Sequence, residues 1–262
     1  MPTAPHRLVA LVTGASRGIG TAIAVALAAR GVRVALHYHV NQAAAERALA
    51  RLAGTGHALV RADLADAAAT IAMWDEVAGR LGPADIVVNN AGVFLDHPPL
   101  TTDYASWQQA WQRTLATNLV GPANLALLAV QSMAARANPV SPAFGRGRIV
   151  NVSSRGAFRG EPEAPAYGAS KAGLNALSQS LAKAVAARAV YVYCLAPGWV
   201  ETEMATAHLA GPDGPSIVAQ HPLGRVNRAD EVADAAAYCA LDAPAAMTGG
   251  VIDVNGASYL RT

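Results

Sequence analysis

LVALVTGASRGIG, residues 8–20, is the stretch that decides the fold. LVALV is a short apolar run, as expected of a strand buried on both faces of a parallel sheet. Gly14, Gly18 and Gly20 then allow a tight turn and close backbone approach, and an alanine-rich helix continues to about Arg30. A strand, a glycine turn and a helix in that order put unpaired helix N–H groups at the turn, where they favour an anionic pyrophosphate.

Working outward, VRVALH (32–37), HALVRAD (57–63), DIVVNNAG (85–92), RIVNVSS (148–154), VYVYCLAPG (190–198) and GGVIDVNG (249–256) predict six further strands. Helical patterns over roughly 42–52, 66–80, 104–137, the run after Pro165, and 228–242 separate them, the last with Asp230 as its N-cap. This alternation, with no hairpin signal, predicts an α/β doubly wound parallel sheet in one domain spanning residues 1–262. The first six residues read as a loose tail, and 199–228, rich in Gly, Pro and His, as a mobile lid over a substrate. Tyr104 to about Ala137 reads as two consecutive helices or one kinked helix, because Pro122 cannot donate to the Asn118 carbonyl. That carbonyl is left free for another partner.

Composition narrows the function. The chain has 262 residues, 53% hydrophobic but only 5% aromatic, so the core is built mainly from Ala, Val and Leu. A formal net charge of +2 without a basic stripe argues against nucleic acid. Cys194 and Cys239 lie in apolar segments without metal-ligand spacing and read as buried free thiols in a reducing compartment. No metal site is expected, and no segment has the length of a signal-peptide core or a membrane span. The expectation is a cytoplasmic protein.

The chemistry is concentrated in APAYGASKAGLNALSQSLAKAV, residues 164–185. Tyr167 and Lys171 stand four apart on one helix face, flanked by small residues that let a ligand approach the phenol. Of the 20 basic residues only Lys171 and Lys183 are lysines. A lysine kept against that bias suits a compact charge beside a phenol, which a guanidinium fork does not supply. A free phenol titrates near ~10, and a nearby ammonium lowers that value. Reaching neutrality takes about three units, or roughly 4 kcal/mol, more than one exposed ammonium provides. A second positive charge, such as an oxidised nicotinamide ring, would help.

TGASRGIG, NNAG (89–92), Asn118, Ser154, the Tyr167–Lys171 pair and PGWVET (197–202) occur in an order and spacing that resemble the short-chain dehydrogenase/reductase family over residues 7–256. The resemblance implies a Rossmann-type fold of seven parallel strands and hydride transfer with a nicotinamide cofactor. It implies that Tyr167 is the general acid in carbonyl reduction, and that Lys171 lowers its pKa and bonds the nicotinamide ribose. It gives Ser154 the polarisation of the substrate carbonyl, and the Asn118 carbonyl a water in a proton relay. Cofactor contacts are implied for Gly14, Ser16, Arg17, Gly18, Ile19 and Gly20 of the turn, Asp63 and Leu64 beside adenine, and Asn90, Ala91 and Gly92 along the ribose. Tyr167, Lys171, Pro197, Gly198, Val200 and Thr202 complete that set near the nicotinamide.

The end of the second strand carries His37, Tyr38 and His39 and no carboxylate to grip ribose hydroxyls. Arg17 can pair with a 2′-phosphate, with His39 or Asn41 adding hydrogen bonds, so NADP(H) is expected over NAD(H). His97, Arg155, Phe158, Trp199, Met204 and His208 are candidates for the substrate mouth, with ordinary loop packing as the simpler reading of each. The expected activity is that of a reductase similar to 3-oxoacyl-carrier-protein reductases. The alternatives are a dehydrogenase or reductase of a sugar, steroid, pteridine or small alcohol, and a non-catalytic dinucleotide sensor. The resemblance further implies a homotetramer through the helices near 104–137 and 165–188.

Overall fold

The computed structural model describes residues 7–261; the expected tail at 1–6 lies outside them. Seven strands form one parallel sheet: β1 (Val9–Val12), β2 (Arg33–Tyr38), β3 (Ala58–Arg61), β4 (Ile86–Asn89), β5 (Gly147–Val152), β6 (Val190–Pro197) and β7 (Val251–Val254). Their order in the sheet is 3-2-1-4-5-6-7. The chain reverses direction across the sheet between β1 and β4, which opens a crevice at their carboxyl ends.

The period of two along each strand divides the core. Ala10 and Val12 of β1 pack with α1 (Gly18–Ala29), α2 (Gln42–Leu49) and α10 (Ala229–Leu241). Val9 and Leu11 face α3 (Ala67–Leu81) and α5 (Gly121–Ala134) on the other side. Both faces of β1 are therefore buried, which is why it reads as a continuous apolar run.

At the amino ends of the strands, Asp85 is fully buried. It accepts from the Val9 backbone N–H at 2.8 Å and pairs with Arg136 at 2.6 Å. Arg148, at the start of β5, is 1% exposed and donates to the carbonyls of Phe144, Cys239 and Ala143 at 3.2, 3.1 and 2.9 Å. Its guanidinium also lies over the Phe144 and Tyr193 rings.

The Tyr104–Ala134 stretch resolves as one continuous helical run, α4 (Tyr104–Leu115), a π-turn over Ala116–Val120, and α5. In the widened turn the Gly121 N–H reaches the Ala116 carbonyl, five residues back, and Pro122 occupies the first turn of α5. The 199–228 segment, expected to form a lid and given no helices by the sequence, contains two short ones, α8 (Glu203–Ala210) and α9 (Gly214–Ala219). Gly and Pro around them hide runs this short from periodicity.

Asp230 is not the cap of α10. Arg228 holds the N-cap position, and the Glu231 carboxylate reaches back to accept its N–H at 2.7 Å. Among the described residues no helix is long and apolar enough to cross a membrane.

Candidate active site

Gly14 and Gly18 sit at φ 61° and 54°, the left-handed region that disfavours a side chain. A Cβ on Gly14 would also lie 2.8 Å from the Ala91 Cα. Gly20 serves packing instead: a Cβ there would collide with the Gly14 carbonyl, and Gly20 does not line the groove above the turn. The first turn of α1 carries no acidic residue and no side-chain cap, so its N–H groups stay open to an anion.

Two residues that the sequence did not mark as supports fix this turn. Thr13 accepts the N–H groups of Asn90 and Ala91 at 2.9 and 3.0 Å, joining the exits of β1 and β4. His37 is 2% exposed; its Nδ1 accepts the Gly14 N–H at 3.0 Å and its Nε2 lies 3.1 Å from the Ala62 carbonyl. Those partners require the neutral tautomer with the proton on Nε2. Burial pushes its pKa down to about 4, so it is uncharged at neutral pH. His37 is thus a structural clamp.

The groove across the sheet edge is lined by Gly14, Ser16, Arg17, Gly18, Ile19, His39, Asn41, Asp63, Leu64, Asn90, Ala91, Gly92 and Thr202. Arg113 and Glu203 join them, without a signal in the sequence. Arg17 pairs with Glu203 at 3.2 Å, both well exposed. The Asn41 side chain caps α2 by accepting the Ala44 N–H at 2.9 Å. Asp63 accepts from Arg113 at 2.8 Å and from the Ala65 N–H at 3.0 Å, with His39 3.7 Å away. Burial would raise its carboxyl, but these bonds and charges hold it below the usual range.

Pro197 lines neither this groove nor the cavity beside it; it is buried at the end of β6, where its carbonyl accepts the Arg155 N–H at 2.8 Å. Gly198 and Val200 face that neighbouring cavity, with Ser154, Arg155, Trp199, Met204, His208 and Tyr167. Its wall is aromatic: Phe94 stands edge-on to Tyr167 at 4.9 Å between centroids, and His208 lies between Phe94 and Trp199. His97 is elsewhere, buried and accepting the Ala166 N–H at 3.1 Å to fix the start of α7 (Pro165–Val185). Phe158 does not line the cavity; its ring lies under Arg261.

A buried polar ladder places α7. Asn89 donates to Asn151 at 2.8 Å, and Asn151 donates to Ser178 on α7 at 2.8 Å. Lys171 is 3% exposed and donates to the Val152 carbonyl at 2.8 Å, with its ammonium 5.7 Å from the Tyr167 ring centre. The Asn118 side chain is bonded on both sides to Val93, accepting its N–H at 2.8 Å and donating to its carbonyl at 2.9 Å. Asn118 and Lys171 line neither cavity but stand behind Gly92, where an added Cβ would meet Asn118 Oδ1 at 3.4 Å and Lys171 Nζ at 3.6 Å.

The expected depression of the phenol is not present in the chain alone. Burial pushes Tyr167 up to about 12, a Ser154 hydrogen bond pulls the other way, and the Glu161 carboxylate adds to the rise. Burial also pushes Lys171 down to about 8. Lys171 is a desolvated ammonium, and desolvation outweighs its proximity to the phenol.

The residues fit the dinucleotide implied by the sequence. The open α1 N-terminus and the glycines that a Cβ would jam suit an anion held against backbone, and the two cavities adjoin at Thr202 and Met204. A nicotinamide there would give or take the hydride.

The short-chain dehydrogenase family model matches residues 8–212. The chain is 35% identical over 252 residues to the 3-oxoacyl-(acyl-carrier-protein) reductase FabG of Escherichia coli strain K12, covering 96% of this chain and 97% of that protein. It is 36% identical over 251 residues to the acetoacetyl-CoA reductase of Rhizobium meliloti strain 1021, covering 96% and 98%. Similarity that runs nearly end to end, on a sheet of this order, makes the chain a member of the short-chain dehydrogenase family, an oxidoreductase of C=O and CH–OH groups that uses a nicotinamide dinucleotide.

Proposed function

We propose that the chain is an NADPH-dependent reductase of ketones carried on short 3-oxoacyl thioesters. The observation that carries the reading is the meeting of Ser154 and Tyr167 in one cavity that adjoins the glycine-turn groove. In this reading Ser154 holds the reacting carbonyl oxygen and stabilises the charge that develops on it. Tyr167 delivers the proton to that oxygen, and a relay through Lys171 and a water held on the Asn118 carbonyl resupplies the phenol. A phenol held at about 12 is protonated at neutral pH, the form in which a general acid meets the carbonyl.

The preference for NADPH rests on the absence of a carboxylate at the end of β2 and on Arg17 and His39 in the groove wall. Asp63 is engaged by Arg113, and a 2′-phosphate would compete with Glu203 for Arg17. The thioester follows the names of the two relatives. A second reading, reduction of a compact ring ketone, is favoured by the wall of Phe94, Trp199 and His208. A homotetramer in the cytoplasm completes the proposal; Val120 and Leu127, about half exposed on the Tyr104–Ala134 run, suit such an interface.

NADPH oxidation with a short 3-oxoacyl thioester, run beside NADH, tests the reading. Turnover with NADPH at least ten times that with NADH is expected. Binding of NADPH without turnover on any of a broad set of ketones would instead identify a dinucleotide sensor.

A further inference from the structure

Arg155 follows Ser154 directly and lines the same cavity as the Tyr167 phenol. Its backbone N–H is held by the Pro197 carbonyl at 2.8 Å, so the exits of β5 and β6 fix where the side chain starts. The residue is 2% exposed. Among the described residues its guanidinium has two acceptors, the Gln220 side-chain oxygen at 2.8 Å and the Ser258 carbonyl at 3.4 Å, and it has no ion-pair partner. The Gln220 oxygen is shared with Arg159 at 3.2 Å. Glu161, a carboxylate on the cavity wall, is paired with Arg159 at 3.6 Å.

A guanidinium carries five N–H donors, so Arg155 is under-used for its burial. Burial draws its pKa down to about 10, which still leaves it charged at neutral pH. The Glu161 carboxylate acts on it only from a distance and is engaged by Arg159, and holding a desolvated cation so thinly compensated is costly unless something in the cavity supplies an acceptor. Arg148 shows the alternative: equally buried, it is met by three carbonyls and two aromatic faces.

We propose that Arg155 determines substrate choice by donating to a second oxygen two carbons from the reacting carbonyl, so that 3-oxo thioesters or 3-oxo acids are taken over simple ketones. The inference rests on the reductase reading above and names the group which that reading leaves open. With the reacting oxygen on Ser154, the next residue in the chain is placed to meet a neighbouring oxygen of the same molecule. A thioester carbonyl and a carboxylate share that chemistry.

The test compares kcat/KM with NADPH for the N-acetylcysteamine thioester of 3-oxobutanoate, for acetoacetate, and for 2-pentanone. It uses the wild type, Arg155→Met, Arg155→Lys and Gln220→Ala. Because the ratio of 3-oxo compound to 2-pentanone is compared between proteins, intrinsic electrophilicity cancels. We expect Arg155→Met to lower that ratio about 10- to 100-fold, mainly through KM, as befits a lost charge-assisted hydrogen bond. Arg155→Lys should recover part of it. Gln220→Ala, which removes the partner and leaves the guanidinium, should keep it.

A thioester ahead of acetoacetate identifies the neutral carbonyl as the ligand, and the reverse order identifies the carboxylate; either supports the inference. A wild type that turns over 2-pentanone as well as both 3-oxo compounds overturns it and leaves the reductase reading standing. So does an equal loss on all three substrates in both Arg155→Met and Gln220→Ala, which would make the arginine a tether only. NADPH binding with no turnover of any carbonyl overturns both.

Discussion

Two arginines are buried at opposite ends of β5, and they are built differently. Arg148, at the amino end, spends its donors on three backbone carbonyls and lies against two aromatic rings. Arg155, just past the carboxyl end, has one amide oxygen and one long backbone contact. The same contrast holds along both edges of the sheet. At the amino edge Asp85 accepts a backbone N–H and a short Arg136 bond. At the carboxyl edge the helix α1 N-terminus, the Tyr167 phenol and the Arg155 guanidinium face open space. One edge pairs its buried charges Asp85 and Arg148 as folded, and the other is left for a ligand to complete.

That contrast makes separable predictions. Tyr167→Phe should lower kcat by about 10²- to 10⁴-fold while leaving NADPH affinity and the thermal midpoint close to wild type. Near-normal turnover in that variant would remove the carboxyl edge from the chemistry altogether. Arg148→Met should do the opposite. Three carbonyls lose a charged donor, so stability should fall by about 3 kcal/mol in chemical denaturation while kcat per folded molecule is kept. A fully stable but inactive Arg148→Met would erase the distinction between the edges.

His37 tests the boundary between them, since it supports the glycine turn yet is itself buried. Its folded pKa is lowered from 6.5 to about 4, so between those values the unfolded chain binds more protons. Stability should therefore decline as pH falls from about 6.5 to 4, by about 1–3 kcal/mol from this residue. His37→Gln should flatten that decline when denaturation midpoints are compared at pH 7 and 4.5. An unchanged acid limb would mean that His37 is not the group responsible.

What the sequence disclosed followed from locality. The glycine turn, the tyrosine–lysine turn of helix and the alternation of strands are short-range patterns, and all three landed where they were expected. The missing pieces join residues distant in the chain. His37 meets Gly14 across 23 positions, Arg113 meets Asp63 across 50, and Glu203 meets Arg17 across 186. No periodicity encodes such pairs.

Proximity was legible but burial was not. Tyr167 and Lys171 share a helix face as their spacing requires, yet the depth of that face holds the phenol of the chain alone above its ordinary value. Asp230 was misplaced for another reason. Cap preferences name residue types, and here Glu231 satisfied the helix end from inside its first turn.

The wide turn at Ala116–Val120 has a consequence for how this chain can change. One residue beyond the regular count puts α5 about 100° out of phase with α4. The phase slip lets Asn118 grip Val93 while Leu125, Ala129 and Met133 still point into the core. Deleting a single residue there would mend the helix and turn one of those two sets away from its partner. Insertions in the loops that flank this run shift only a loop, but at this position the reading frame of the helix itself is committed.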